Sequence, residues 1–124
     1  MPINPYETYK QQSVLTMTPG EMLNKLYDEL IKQLSIAQLA LEQQELEKVN
    51  VSLQKSQRIL NYLRSTLNFQ YEVSANLELL YEFFIHQIVN ANIKKDASFI
   101  QEILPMVQEL QQTFLQADKL AKKS

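Results

Sequence analysis

Residues 45–68 read ELEKVNVSLQKSQRILNYLRSTLN. Positions three and four residues apart are apolar along most of this stretch, which places them on one face of an α-helix. Alternation of this kind is typical of a helix that packs in a bundle. The stretch therefore predicts one bundle helix over residues 45–68. Its inward face consists of Leu46, Val49, Leu53, Ser56, Leu60, Leu63 and Leu67.

Three other segments have the same periodicity. The first helix is predicted from Thr18, which can cap its N-terminus together with Glu21 in a capping box, to about Gln43. The third is predicted to start with Ser74 as its N-cap, and the fourth with Asp96. The apolar face of the first helix consists of Leu23, Leu26, Tyr27, Leu30, Leu34, Ala37 and Leu41. That of the third consists of Leu77, Leu80, Tyr81, Phe84, Ile88 and Ala91. That of the fourth consists of Ile100, Ile103, Leu104, Val107, Leu110, Phe114 and Ala121.

The composition favours helices throughout. The chain of 124 residues has 1 glycine and 4 prolines, too few turn residues for the hairpins of a sheet. We therefore predict an all-α protein, an antiparallel up-and-down four-helix bundle, as one domain over residues 18–124 preceded by an N-terminal arm over residues 1–17. Pro105 lies inside the fourth helix but away from its apolar face, so we expect a bend there and not a helix end.

Charge and composition exclude several functions. With 12 basic and 14 acidic residues the net charge is -2, which offers no general attraction for nucleic acid or anionic lipid. There is no cysteine, and no apolar run approaches the length of a membrane span or a signal peptide. The sequence thus predicts a cytoplasmic protein that neither binds nucleic acid nor inserts into a membrane.

The chain has few candidate residues for catalysis or metal binding. His86 is the only histidine and is expected to face solvent, as in a histidine phosphotransfer bundle. The lysine and glycine that follow the histidine in such domains are missing from the run HQIVN, so an ordinary surface histidine is favoured. Glu78, Glu82 and His86 form a row on one helix face, but a di-iron bundle needs two Glu-x-x-His pairs. We predict no enzyme activity, no cofactor and no metal.

Apolar residues outside the core face are the more informative feature. Val51, Ile59 and Tyr62 on the second helix, and Leu79 and Phe83 on the third, point away from the predicted core, as Leu39 does on the first. They form either ordinary surface or a groove for the amphipathic segment of a partner protein. We predict the groove, with the first five of these residues as partner-binding residues.

The sequence resembles the flagellar export chaperone family, FliS, over residues 4–117. No single motif is decisive, but the order and spacing of the motifs together are hard to produce by chance. The matching runs are Asn4-Pro5-Tyr6, Tyr9, Ser13-Val14, Thr18-Pro19-Gly20-Glu21, Leu26-Tyr27-Asp28, Leu63-Arg64-Ser65-Thr66-Leu67, Asn76-Leu77, Leu80-Tyr81 and Ala91-Asn92-Ile93-Lys94-Lys95-Asp96.

The resemblance implies a chaperone in the bacterial cytosol that binds the disordered C-terminal segment of flagellin. Binding would prevent premature polymerisation and assist export for flagellum assembly, with the export apparatus as a further partner. It also implies an arm that covers part of the bundle when flagellin is absent, with Tyr6 and Tyr9 as arm residues that act in partner binding. Phe83 matches an aromatic position of the family. Another export substrate or a regulator remains an alternative client.

Four positions depart from the family pattern. Asn24 and Lys25 replace apolar residues that are usual in the first helix of the family. Tyr62 replaces an acidic residue, and Phe114 stands where a tryptophan is common. These departures concern the contacts with the client and leave the implied fold unchanged.

Overall fold

The computed structural model describes residues 17–123, which form four α-helices and no strand. The helices are α1 (Pro19–Glu42), α2 (Leu46–Ser65), α3 (Glu72–Lys94) and α4 (Ser98–Lys123). Their connections are short, spanning residues 43–45, 66–71 and 95–97. The all-α prediction is confirmed.

The four helices surround a common core. α1 lies beside α2 and α4, and α3 lies beside the same two helices. Glu21, in the first turn of α1, is 3.5 Å from Lys122 near the end of α4, so these two helices run in opposite directions. Asn50, near the start of α2, likewise accepts a hydrogen bond of 2.6 Å from Lys95, just after α3. The arrangement is an antiparallel up-and-down bundle.

The N-terminus of α1 has the predicted cap. Thr18 has an extended backbone, and its Oγ1 accepts a hydrogen bond of 3.2 Å from the backbone N–H of Glu21. Pro19 begins the helix, where its fixed φ is suitable and its missing N–H has no cost. The helix ends at Glu42, one residue before the predicted end.

The connection between α2 and α3 differs from the prediction. α2 ends at Ser65 and not at Asn68, and α3 begins at Glu72, two residues before Ser74. The apolar spacing continues through Leu67, but α2 ends before Thr66, whose hydroxyl donates to the carbonyl of Leu63 at 2.8 Å. The hydroxyl of Ser74 is buried and donates to the carbonyl of Asn68 at 2.6 Å, so it closes the connection and does not cap α3.

The turn between α3 and α4 depends on two adjacent residues. Lys95 has a φ of 50°, the left-handed conformation that commonly ends a helix. The Oδ1 of Asp96 accepts a hydrogen bond of 2.9 Å from the N–H of Ser98, the first residue of α4, so Asp96 binds the start of the helix from one residue before the N-cap position. This backbone hydrogen bond holds the pKa of Asp96 below its ordinary value.

The core consists of the predicted apolar faces, with two exceptions near helix ends. Leu46, in the first turn of α2, is 49% exposed, and Ala121, near the end of α4, is also exposed. Both lie at an end of the bundle, where the helices no longer enclose a core. The fully enclosed residues include Tyr27, Leu30, Leu34, Ala37, Val49, Leu53, Leu60, Phe84, Ile88, Ala91, Ile100, Ile103 and Val107.

Two tyrosines meet in the middle of this core. The hydroxyls of Tyr27 on α1 and Tyr81 on α3 are 2.7 Å apart and share a hydrogen bond. The ring centroid of Phe114 on α4 lies 5.6 Å from that of Tyr27. Burial raises the pKa of both tyrosines. The pair therefore links the diagonal helices α1 and α3 by a polar contact inside a mainly apolar core.

α4 continues through Pro105, whose side chain is exposed, so the predicted helix is confirmed. The expected bend at this residue stays a prediction. No helix within residues 17–123 has the length and apolar character that crossing a lipid bilayer requires.

Candidate functional site

The predicted partner-binding residues differ in exposure. Val51, Tyr62 and Leu79 are exposed, with 66% of Leu79 accessible to solvent. Ile59 and Phe83 are half-buried and pack against the core, so their free surface is smaller than the sequence indicated. Leu39 is exposed on α1, as predicted.

The three predicted site residues on α2 point away from α3. Asn50 and Arg64 define the side of α2 that faces α3, since they contact Lys95 and Glu82 respectively. Ile59 lies about 140° around the helix from Arg64, on the side next to α1. Val51 and Tyr62 are about three full turns apart and therefore share one outward direction.

The two predicted site residues on α3 lie on the side of that helix nearer α4. Gln87 Nε2 donates a hydrogen bond of 3.0 Å to Glu102 of α4, which defines that side of α3. Phe83 lies one helical turn before Gln87, on the same side, and Leu79 lies one further turn back and points more outward. The ring centroid of Phe83 is 6.1 Å from that of Phe84, so the core positions the Phe83 ring.

Half-buried apolar side chains line the seam between α3 and α4. These two helices pack less closely than the other three adjacent pairs. The side chains that fill the gap are apolar and half-buried, so part of each is accessible from outside. We call this surface the α3–α4 groove, and its residues are Leu80, Phe83, Phe99, Met106 and Leu110.

The five described residues of the predicted site thus lie on two opposite sides of the bundle. Ile59, Val51 and Tyr62 belong to the outer side of α2 near α1, whereas Phe83 and Leu79 belong to the α3–α4 side. The structure does not bring them together into one groove. Tyr6 and Tyr9, also predicted, lie outside the described residues, as do Ile3, Val14 and Leu15.

The row of Glu78, Glu82 and His86 takes part in a surface contact. Glu82 Oε1 is 3.3 Å from the guanidinium of Arg64 on α2, and both side chains are partly exposed. His86 faces solvent, as predicted. Over residues 17–123 the structure contains no cluster of three or more acidic or histidine side chains able to hold a metal ion.

The sequence analysis missed several polar residues in the helix interfaces. Gln111 of α4 is buried, and its Nε2 donates to Asp28 Oδ1 at 2.6 Å and to Asn24 Oδ1 at 3.0 Å. Gln33 and Gln87 are also buried. The signal was present for Gln111, because it continues the spacing of Val107 and Phe114. The Asn24 contact also accounts for a polar residue where the family is apolar.

A second missed feature is apolar surface on the α2–α3 connection and the first turn of α3. Phe69, Tyr71 and Val73 are all exposed. The connection is ordered by Asn68, whose Oδ1 accepts from the N–H of Gln70 at 3.0 Å. Three large apolar residues within five positions, just beyond the end of a helix, were the signal in the sequence.

These observations define an all-α bundle with apolar grooves and apolar surface on more than one side. Comparison with known proteins is consistent with that class. The family model described as flagellar protein FliS matches residues 2–121. The chain belongs to the FliS family and is a flagellar export chaperone.

Individual relatives agree with this assignment. The flagellar secretion chaperone FliS of Bacillus subtilis is 36% identical over 120 residues, covering 97% of this chain and 90% of the relative. The flagellar secretion chaperone FliS of Salmonella typhimurium is 27% identical over 109 residues, covering 86% of this chain and 81% of the relative.

A solved structure shares the fold. The crystal structure of a bacterial flagellar chaperone superposes with a TM-score of 0.77 at 22% identity, covering 92% of this chain and 94% of the other.

Proposed function

We propose that this chaperone binds the disordered C-terminal segment of flagellin in the bacterial cytosol. It thereby prevents premature polymerisation and assists export for flagellum assembly. Binding requires no enzyme activity, cofactor or metal, because covering an apolar face is driven by removal of apolar surface from water. The α3–α4 groove is the observation that carries the proposal.

The groove has the chemistry that an amphipathic helix needs. Its half-buried residues on α3 and α4 form an apolar floor already held by the core, so little side-chain entropy is lost on binding. An incoming helix would place residues at i, i+3, i+4 and i+7 on this floor. The polar Gln87–Glu102 contact bridges α3 and α4 beside this floor and can orient the helix.

A second apolar surface supports a long client. Val51, Ile59 and Tyr62 lie on the other side of the bundle, too far around it for a single short helix that fills the α3–α4 groove. A disordered segment that folds on binding can wrap such separate surfaces. The proposal therefore assigns one piece of the client to the groove and another to the outer side of α2.

The direct test is a peptide that covers the C-terminal segment of flagellin. We expect it to gain helix on binding and to show a negative heat-capacity change by calorimetry. Phe83→Asp places a charge in the apolar floor and is expected to weaken binding about tenfold or more. Ile59→Asp is expected to weaken binding through the second surface.

Leu120→Asp is the matched control, since Leu120 is equally apolar but exposed near the end of α4, outside both surfaces. It is expected to bind like the unmodified protein, and circular dichroism checks that all three variants stay folded. Normal binding by both Phe83→Asp and Ile59→Asp would assign the client to other surfaces. No binding by the unmodified protein would point to another flagellar export substrate or a regulator as client.

The N-terminal arm is proposed to compete with the client. Tyr6 and Tyr9 are expected to cover an apolar groove in the free protein and to leave it when flagellin binds. Because a competing arm leaves only the open molecules able to bind, the apparent affinity is the intrinsic affinity multiplied by the fraction of molecules in which the arm is open. Deleting residues 2–12 is therefore expected to tighten peptide binding about fivefold or more, and to lower the thermal stability, if closure contributes about 1–3 kcal/mol.

Two readouts separate displacement from direct contact. Weaker binding by the deletion variant, with its helical spectrum intact, would mean that the tyrosines contact the client. Hydrogen exchange gives an independent measure: amides near Tyr6 and Tyr9 are expected to lose protection when the peptide binds. A gain of protection at these amides contradicts displacement.

A further inference from the structure

The first part of α4 is tied to α3. Glu102 accepts a hydrogen bond of 3.0 Å from Gln87 Nε2. The Nζ of Lys94 lies 5.2 Å from the centroid of the Phe99 ring, a cation–π distance. Both contacts involve residues of α4 that precede Pro105.

The second part of α4 is tied to α1. Gln111 is buried and donates its Nε2 protons to Asp28 at 2.6 Å and to Asn24 at 3.0 Å. Farther along, Lys122 lies 3.5 Å from Glu21 of α1, and Asp118 of the same helix α4 holds the Lys122 ammonium at 3.2 Å. These contacts follow Pro105 in the chain.

A glycine permits the close approach of α4 to the start of α1. A Cβ atom at Gly20 would overlap the carboxylate of Asp118. The absence of a side chain at this position therefore lets Asp118 lie against the first turn of α1, where a negative charge is favoured by the helix dipole.

Pro105 separates the two parts. It has no backbone N–H, so the carbonyl of Gln101 lacks the donor that the helix would supply. Its ring is exposed and is not part of the core. A helix bends most easily at such a position, because one hydrogen bond of the ladder is missing there.

The groove residues that follow Pro105 are held by apolar packing. Met106 and Leu110 are half-buried and face the α3 side, one and two turns after Glu102. Apolar contacts are non-directional and tolerate small displacements better than hydrogen bonds do. The polar contacts described above therefore fix α4 to different neighbours before and after the proline, with a deformable interface to α3 beyond it.

We propose that Pro105 is a hinge that sets the width of the α3–α4 groove. The part of α4 that follows the proline stays with α1 through Gln111 and Lys122, and bends away from α3 as a unit. The part that precedes it stays with α3 through Glu102. The opened groove takes one amphipathic helix of a client, and in this respect the inference rests on the proposed function.

Hydrogen exchange of the free protein tests the hinge without any client. Pro105→Ala restores the missing N–H, and amides of residues 106–112 are expected to exchange at least about threefold more slowly than in the unmodified protein. The control is Gln108→Ala, an exposed change on the same helix that leaves Pro105 in place. Equal rates in the Pro105→Ala variant, or uniform slowing in all helices, would overturn the hinge.

Peptide binding tests the link to the groove. Pro105→Ala is expected to weaken binding of the flagellin C-terminal peptide about threefold, because the open groove becomes a rarer state. Slower exchange with unchanged affinity would overturn the role of the hinge in setting groove width. If the unmodified protein does not bind the peptide, the proposed function fails, while the exchange comparison still decides whether Pro105 is a hinge.

Discussion

Replacing Leu60 with Ala is expected to lower the free energy of unfolding by about 2–5 kcal/mol. Leu60 is fully buried on α2, so the shorter side chain loses its transfer free energy and leaves a cavity that the neighbouring helices fill only in part. Leu63 is buried to nearly the same degree, and a similar loss is expected for Leu63→Ala. Urea denaturation followed by circular dichroism measures the change.

Leu79→Ala is the matched control for this prediction. It removes the same atoms from a helix residue that is 66% exposed, and is expected to change the free energy of unfolding by less than about 0.5 kcal/mol. A loss below that value for both Leu60→Ala and Leu63→Ala would mean that the inward face of α2 has been misassigned.

Replacing Tyr81 with Phe is expected to lower the free energy of unfolding by about 1–3 kcal/mol, because it leaves the buried Tyr27 hydroxyl without its partner. The double variant Tyr27→Phe/Tyr81→Phe removes both hydroxyls and is expected to lose less than the sum of the two single changes. Additive losses would contradict a shared hydrogen bond between the two hydroxyls.

The same pair predicts a loss of stability at alkaline pH. Burial raises the pKa of Tyr27 and Tyr81 in the folded state, whereas in the unfolded chain both have a pKa of about 10. The neutral pair contributes fully below that pH, and its contribution falls as the pH rises above it, since the unfolded chain releases protons more easily. The double Phe variant is expected to lose less stability between neutral and strongly alkaline pH than the unmodified protein does.

The sequence determined most of the fold by itself. The spacings of seven and three residues between Leu53, Leu60 and Leu63 place them on one side of a helix whatever surrounds it, and all three are buried. The cap at Thr18 was likewise predictable, because it depends on residues close together in the chain. The few turn residues and the four apolar faces together were enough for an antiparallel bundle.

Local pattern was insufficient at the α2–α3 connection. Leu67 continues the apolar spacing past the end of α2, and it is still half-buried, so the pattern contains no sign that the helix has ended. Ser74 has the chemistry of an N-cap, but its hydroxyl is held by the carbonyl of Asn68, six residues earlier. The start of α3 therefore depended on which carbonyl the folded connection places within reach of the Ser74 hydroxyl.

The candidate site was only partly predictable for a similar reason. Periodicity correctly placed Val51, Tyr62 and Leu79 outside the core, since direction around one helix follows from spacing alone. Which neighbouring helix lies beside Ile59 or Phe83 follows from the order of helices around the bundle, and contacts such as Gln87 with Glu102 establish it. Only the tertiary structure decided that the predicted residues form two surfaces, because the relation between faces of different helices is fixed by packing across the core.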